Sequence, residues 1–421
     1  MKHLYPILFI LLGVGVSVSA QPSLTLPACQ ALALQRSPEL RTFPAVLRAQ
    51  DGWIEQAGLG LNPEFELEME NFLGTGELQG VDGLETTVGL SQTIETAQKR
   101  QKRQAIAERE KDGVSQAYAT ARLQVLYAVS TAYTDLLAAL AQETIQASFH
   151  TLSQEIHQTL LASVDAGRES PLEAKRAQIM VSRTEADLRR AQGETEKARL
   201  QLAQHWAETS PTFSAIEGNL YDFSLVDSSL ASVVIPATHP QLAQAQAQIE
   251  AEQARLALER AKARPDITLS GGIRYLADAD DAAFVAGISI PFPTRDKNQG
   301  AIRATEAAVE QAAQQQEAEM QKLQQALQIA RHSLRQAYTE VRQFETAILP
   351  LTEQTLESTQ EGYRQGKFPY LNVLDAQRAY FEAKEQHIAA ALAVQNAVNE
   401  IQFLTAAYPI LQTQTLEETV Q

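Results

Sequence analysis

The chain has 421 residues, with 51 acidic against 35 basic side chains and a formal net charge of −16. An acid excess this large excludes electrostatic capture of nucleic acid or of an anionic lipid surface. Cys29 is the single cysteine, so an internal disulfide is excluded, and no run of 18 or more apolar residues follows the N-terminal segment, which argues against a transmembrane helix.

In chain order, Met1 to Ala20 reads as a signal peptide: one lysine near the start, the apolar run LYPILFILLGVGVSV, then small residues ending at Ala20. Its removal takes one lysine and no acid, so the net charge moves from −16 to −17. LPAC, Leu26 to Cys29, superficially resembles a lipidation site, but it lies well past the apolar run and where a helix is about to start. Cys29 is therefore expected on a helix face, with acylation the alternative. A helix is expected over about 29–59, strands over about 64–72 and 84–94, and a helix over 97–164 with no proline and only Gly113 as glycine. Gly167 and Pro171 mark a turn, and a further helix is expected over 170–208.

After a weakly patterned stretch at 209–236 the same unit returns. RSPEL around Pro38 returns as THPQL around Pro240, NPEFELEME around Pro63 as RPDITLSGG around Pro265, and AYTDL at Ala132 as AYTEV at Ala337. AGRESPL around Gly167 returns as QGKFPYL around Gly366. The second copy predicts a helix over 239–264, strands over 266–275 and 283–292, a helix over 296–362 kinked at Pro350, and a last helix over 368–408. The chain thus divides into repeats at 21–208 and 237–408, followed by a tail at 409–421. A repeat this long is a duplicated structural unit rather than a solenoid module.

The strands alternate. Glu64, Glu66, Glu68 and Glu70 share one face of EFELEME, opposite Phe65, Leu67 and Met69. The acidic row suits a hydrated lumen, and Leu67, Leu90, Leu269 and Ile288 suit lipid. Each strand alone fits a soluble hairpin nearly as well. Four strands cannot close a barrel and open edges are not tolerated in lipid, so membrane-spanning strands here require several chains; a trimer gives twelve. Each long helix is expected to extend about 100 Å at 1.5 Å per residue, with two shorter ones laid end to end beside it. The turns at Gly167 and Gly366 then lie at the far tips, decorated by Arg168, Arg364, Lys367 and Tyr370. Asn372 and Asp375 share a helix face just beyond the second.

Chemistry-bearing motifs are sparse. His150 and His157 share a helix but are seven residues apart, too far to grip one ion directly, and no HExxH pattern occurs. No phosphate loop, nucleophile elbow or dinucleotide fingerprint is present. Neither a catalytic site nor a cofactor is expected, nor a dedicated metal site.

Taken together, the duplicated pattern resembles the TolC-type outer-membrane efflux proteins over nearly all of the chain beyond the signal segment. SQTIETAQKRQKR (Ser91 to Arg103), HPQLAQAQAQIEAEQARLALERAKARPDITLSGGI (His239 to Ile273) and ISIPFPTRDKNQGAIRATEAAVEQA (Ile288 to Ala312) resemble its cation-efflux branch, the outer components of cobalt–zinc–cadmium or copper–silver pumps. The resemblance implies a TolC-like mixed α/β fold, internally duplicated. A long periplasmic α-helical barrel would join a trimer-shared 12-stranded outer-membrane β-barrel. It also implies a homotrimer in outer-membrane lipid, docked to a periplasmic adaptor (membrane fusion) protein and served by an inner-membrane resistance-nodulation-division (RND) pump. GRESPLEAKRAQ and GKFPYLNVLDAQ match the adaptor-facing tips, which assigns docking to Gly167, Arg168, Arg364, Gly366 and Lys367. Asn372 and Asp375 match the periplasmic constriction, where Asn372 departs from an acidic pattern. Thr96, Ala97 and Gln98 replace the leucine–glycine–glycine common in the branch. The implied function is a passive duct exporting divalent or heavy-metal cations. The alternatives are the same duct for drugs or other small organic molecules, a periplasmic adaptor, or a structural coiled coil.

Overall fold

A computed structural model of the chain describes residues 23–213, 215–226 and 233–411. The expected signal segment and most of the expected tail lie outside the described residues. The first half runs α1 (Leu26–Arg36), α2 (Phe43–Gly58), β1 (Glu64–Glu70), β2 (Glu85–Ile94), α3 (Lys99–Asp165) and α4 (Pro171–Ala203). The second runs α5 (Pro240–Lys262), β3 (Ile267–Leu276), β4 (Asp281–Ser289), α6 (Gln299–Gln343), α7 (Leu349–Arg364) and α8 (Tyr370–Leu404).

Two helices are irregular at prolines, and the first of them departs from expectation. The segment expected as one helix over 29–59 is broken between Arg36 and Phe43 by a 3-10 turn at Leu40–Thr42. The Pro38 ring crowds Ser37 out of the helical region, to φ −55° and ψ 126°. The second long helix, expected to kink at Pro350, carries a π-turn at Phe344–Ile348 that joins α6 to α7. The Leu349 N–H reaches back five residues to the Phe344 carbonyl, an extra-wide turn just ahead of a residue that has no N–H to offer.

The 67 residues of α3 make a rod of about 100 Å. One window of α3 is apolar enough to cross a membrane by composition. Leu123, Leu126, Val129, Tyr133 and Leu136 of this helix are instead buried in packed clusters with α1, α4 and the C-terminal residues around Tyr408. The strands form one antiparallel sheet in the order β1-β2-β3-β4. Helix order matches strand order: α2 leads into β1, α3 leaves β2, α5 leads into β3 and α6 leaves β4, while α2 packs on α3, α3 on α5 and α5 on α6. Further along, α4 and α8 lie against α3, and α8 packs on α6 and α7. The chain is therefore a row of helices continuing a row of strands, with α2 and α4 at one edge and α6 and α7 at the other.

The segment between the repeats ties them together. Phe213 and Ile216 pack with α1, α3 and α4, whereas Leu220, Tyr221, Phe223 and Val226 pack against α6 and α8. The Tyr133 hydroxyl on α3 donates to the Leu24 carbonyl at 3.1 Å and contacts the Glu217 carbonyl.

Gly89 and Gly272 face each other across β2 and β3. A Cβ on Gly272 would lie 2.6 Å from the Val88 carbonyl oxygen and 2.9 Å from the Gly89 Cα, backbone atoms that cannot step aside; on Gly271 a Cβ meets nothing within 4 Å. Gly272→Ala is expected to cost about 1–3 kcal/mol and lower the denaturant midpoint of the sheet, while Gly271→Ala leaves it unchanged. Equal midpoints would contradict the close approach.

Candidate functional site

Strand register sorts the side chains of the sheet onto two faces. Leu67 lies opposite Val88, Leu90 opposite Phe65 and Gly271, and Leu269 opposite Ile288, so the four candidate lipid residues share one face with Ile273 and Phe284. That face is uncovered: Phe284 is 91% exposed and Ile288 73%. A soluble monomer rarely leaves such a contiguous apolar patch open. Glu64, Glu66, Glu68 and Glu70 share the other face with Thr87, Ser91, Ser270 and Arg274. Arg274 pairs with Glu70 and Glu85. No sequence motif marks this cluster; Arg274 shows in the sequence only as a lone arginine in an otherwise acidic set of strands.

Where sheet meets helix, the chain turns through two left-handed residues, Ala97 at φ 54° and Gln98 at φ 58°. These are the positions where the cation-efflux pattern has glycines, which take this conformation without strain. Neighbouring contacts hold the turn. The Thr96 N–H donates to Asp266 Oδ1 at 2.7 Å and its hydroxyl to the Pro265 carbonyl at 2.6 Å. Lys99 Nζ reaches the same Asp266 oxygen at 2.8 Å and the Arg264 carbonyl at 2.7 Å. Burial opposes ionisation of Asp266, but the Lys99 ammonium and the Thr96 N–H hold its carboxyl below the usual range. The turn after β2 is thus pinned to the strand-start of β3 in the other repeat.

At the opposite ends of the long helices, both turns close the same way. Gly167 N–H bonds the Val164 carbonyl and Arg168 N–H the Ser163 carbonyl, each at 2.9 Å; Gly366 and Lys367 do the same to Tyr363 and Gly362, at 2.9 and 2.8 Å. These are Schellman closures, which need the left-handed backbone that Gly167 adopts at φ 69° and Gly366 at φ 71°. Arg168, Arg364 and Lys367 are exposed there. Tyr370, expected as a tip decoration, is instead buried: its ring packs with Leu160, Ala177 and Met180, joining α8 to α3 and α4. Burial pushes its phenol up to about 12.

Asn372 and Asp375 lie on the exposed face of α8, opposite buried Val373, Leu374 and Gln377. Arg378, one turn on, stands 3.9 Å from Asp375 in an exposed pair that only the i, i+3 spacing signals in the sequence. Cys29 is fully buried on α1, and burial pushes its thiol up to about 12, so the residue belongs to the core and is closed to acylation in this fold. His150 bonds Thr184 at 3.1 Å and Gln154 at 2.9 Å. Among the described residues, no group of three or more His, Cys, Asp or Glu is placed to hold a metal ion.

This architecture, an open sheet with one bare apolar face continued by helices of membrane-to-periplasm length, is that of an outer-membrane channel subunit. The chain belongs to the outer membrane efflux protein family, whose model matches residues 31–208 and 235–407, one match in each repeat. It is 27% identical to the cobalt-zinc-cadmium resistance protein CzcC of Cupriavidus metallidurans over 87% of this chain and 86% of that one. The cation efflux system protein CusC of Escherichia coli is 27% identical over 52% of each chain. A solved structure of CusC superposes with a TM-score of 0.72 at 19% identity, covering 90% of this chain and 91% of that one. The outer membrane protein VceC of Vibrio cholerae superposes at 0.70 and 18%, covering 90% and 95%.

The two left-handed residues yield a test of the junction. Glycine relieves the Cβ clash of that conformation but gives the unfolded chain more freedom. Ala97→Gly and Gln98→Gly are each expected to raise stability by about 0.5–1 kcal/mol, read as an upward shift of the thermal midpoint. A downward shift would show that the side chains are held by contacts stronger than the strain.

Proposed function

We propose that the chain is one third of a passive exit duct for divalent or heavy-metal cations. Three copies close a twelve-stranded barrel in the outer membrane, and their helix rows continue it as a tube into the periplasm. The observation that carries this reading is the sheet, with its apolar face bare and the outer edges of β1 and β4 unpaired in a single chain. In hydrocarbon each unpaired backbone group costs several kcal/mol, roughly the scale for an unmet amide. Neighbouring copies supply the missing strands. Exposed Trp53 on α2 and Ile179 on α4, with Ile329 on α6 and Leu351 on α7, give the helix edges apolar contacts for the same neighbours.

Metal cations are favoured as cargo by the relatives, which are named for cobalt, zinc and cadmium resistance and for cation efflux. The acidic lumen row suits them electrostatically. In this reading the turns carrying Gly167, Arg168, Arg364, Gly366 and Lys367 dock a periplasmic adaptor, and Asn372 and Asp375 line the narrow periplasmic end. An inner-membrane resistance-nodulation-division pump supplies the energy. The duct selects by charge and width and performs no chemistry.

Deleting the gene is expected to sensitise cells to zinc, cobalt or cadmium while leaving tolerance of detergents and drugs unchanged. The reverse pattern would assign the duct to organic molecules. Complementation by a variant with charge reversal at Arg168, Arg364 and Lys367 is expected to fail, with weakened crosslinking to the adaptor and an intact trimer.

The strand faces give a separate test. Leu67→Arg and Ile288→Arg are expected to impair barrel insertion, at about 2–4 kcal/mol near the bilayer midplane. Glu66→Gln is expected to leave assembly intact. Normal outer-membrane trimers of both arginine variants would overturn the lipid assignment.

A further inference from the structure

The strand ends farthest from the helices carry a charge arrangement unlike the rest of the sheet. There, on the acidic face, Glu70 of β1 stands directly opposite Glu85 of β2. Like charges so placed repel. Arg274 of β3 lies between them: Nη2 meets Glu70 Oε2 at 3.0 Å, Nη1 meets Glu85 Oε2 at 2.8 Å, and Nε donates to Thr87 Oγ1 at 3.0 Å. Asn71 Nδ2 donates to the other Glu85 oxygen at 3.0 Å. Asn71 does so from a left-handed backbone at φ 59°, a conformation asparagine tolerates better than most residues. Arg274 is the only basic residue in the four strands. Glu64, Glu66 and Glu68, nearer the helices, make no ion pair among the described residues.

We propose that Arg274 is a specificity-determining residue of the duct, acting by partly neutralising the opposed Glu70 and Glu85 on the lumen wall at its loop end. This rests on the reading of the sheet as a duct wall. One guanidinium against two carboxylates leaves a single net negative charge in this cluster, which sits beside the exposed Asp82, Asp278, Asp280 and Asp281 of the loop end, while the row behind stays acidic. The acidic row concentrates cations inside the barrel, and the clamped mouth lets them leave. Conduction needs both, since a site that binds too well does not release. Without the guanidinium, two opposed carboxylates per subunit would hold multivalent cations at the exit. The planar fork of arginine spans two carboxylates and a hydroxyl at once, a geometry lysine cannot reproduce.

The test is single-channel recording of the full-length protein in neutral planar bilayers at low salt, with spermine added to one side at a time. Arg274→Gln is expected to be blocked from the loop side at about tenfold lower spermine than wild type, the scale on which a charged cleft enriches counter-ions. Glu70→Gln/Glu85→Gln, which leaves the guanidinium alone, is expected to need more loop-side spermine for block than wild type and to shift the reversal potential toward anions. Spermine on the helix side is expected to act alike on all three, because it meets the periplasmic end first. Loop-side block that is the same in wild type and both variants would overturn the proposal. Where Arg274→Gln fails to assemble, an unshifted reversal potential in the double glutamine variant overturns it alone. Wild-type protein that inserts without conducting any ion would instead overturn the duct reading itself.

Discussion

A backbone N–H or C=O in hydrocarbon has no water to turn to, and this sheet leaves a row of them along the outer edges of β1 and β4. Soluble proteins protect such edges with charge, proline or a covering helix. Here the edge strand β4 presents Phe284 and Ile288 bare, and the apolar face beside them is uncovered. The chain therefore folds into something incomplete, and in the proposed trimer copies with the same edges complete it. Because helix order follows strand order, the demand extends beyond the membrane: whatever closes the sheet also closes the helix row.

Packing within the row reflects position. The buried face of α4 is built largely from small residues, including Ala174, Ala177, Ala191, Ala198, Thr184 and Thr195, and its main helical neighbour is α3. The buried face of α8, gripped by α3 on one side and by α6 and α7 on the other, includes Tyr370, Val373, Phe381, Ile388 and Val394. Small side chains let two long helices approach closely but bury little area per turn, so α4 is held by length rather than by large anchors. The aromatic pair Phe149 and Phe381, stacked at 4.1 Å, reinforces α3 against α8 on the tip side of their midpoints.

Much of this was legible in the sequence because period decided it. Alternation of glutamate with Phe65, Leu67 and Met69 placed the two faces of β1, and the proline-free run over 97–164 placed α3, observed at Lys99–Asp165. Gly167 and Gly366 marked the turns because only glycine takes their left-handed closure without strain. What failed to show depended on contacts between distant residues or on local geometry that no period encodes. Arg274 meets Glu70 and Glu85 only once two strand pairings fix its height. Tyr370 is buried because α3 and α4 pack over the start of α8, which the local pattern does not reveal. Pro38 broke a helix that the apolar pattern alone would have continued, and the π-turn before Pro350 has no signature beyond that proline. The left-handed Ala97 and Gln98 were visible only as two missing glycines; their conformation is set by Thr96, Asp266 and Lys99.

The two repeats share a scaffold and part company in charge near the tips. Counted from Gly167 and Gly366, Glu173 and Arg176 of α4 occupy the places of Asn372 and Asp375 on α8. Glu173 and Arg176 pair with each other at 2.9 Å and cancel. Asn372 and Asp375 do not, and the nearest cation, Arg378, is 3.9 Å away with both side chains more than half exposed. Such an exposed pair is worth about 0–1 kcal/mol and is screened by salt. The negative charge is thus confined to one repeat, and to the helix held by neighbours on both sides. In the proposed tube of three copies this would make the charge pattern threefold although each chain brings two repeats to the wall. A ring of charge can act as a barrier only if its carriers stay in place, and α8 is the better anchored of the two helices that could carry it.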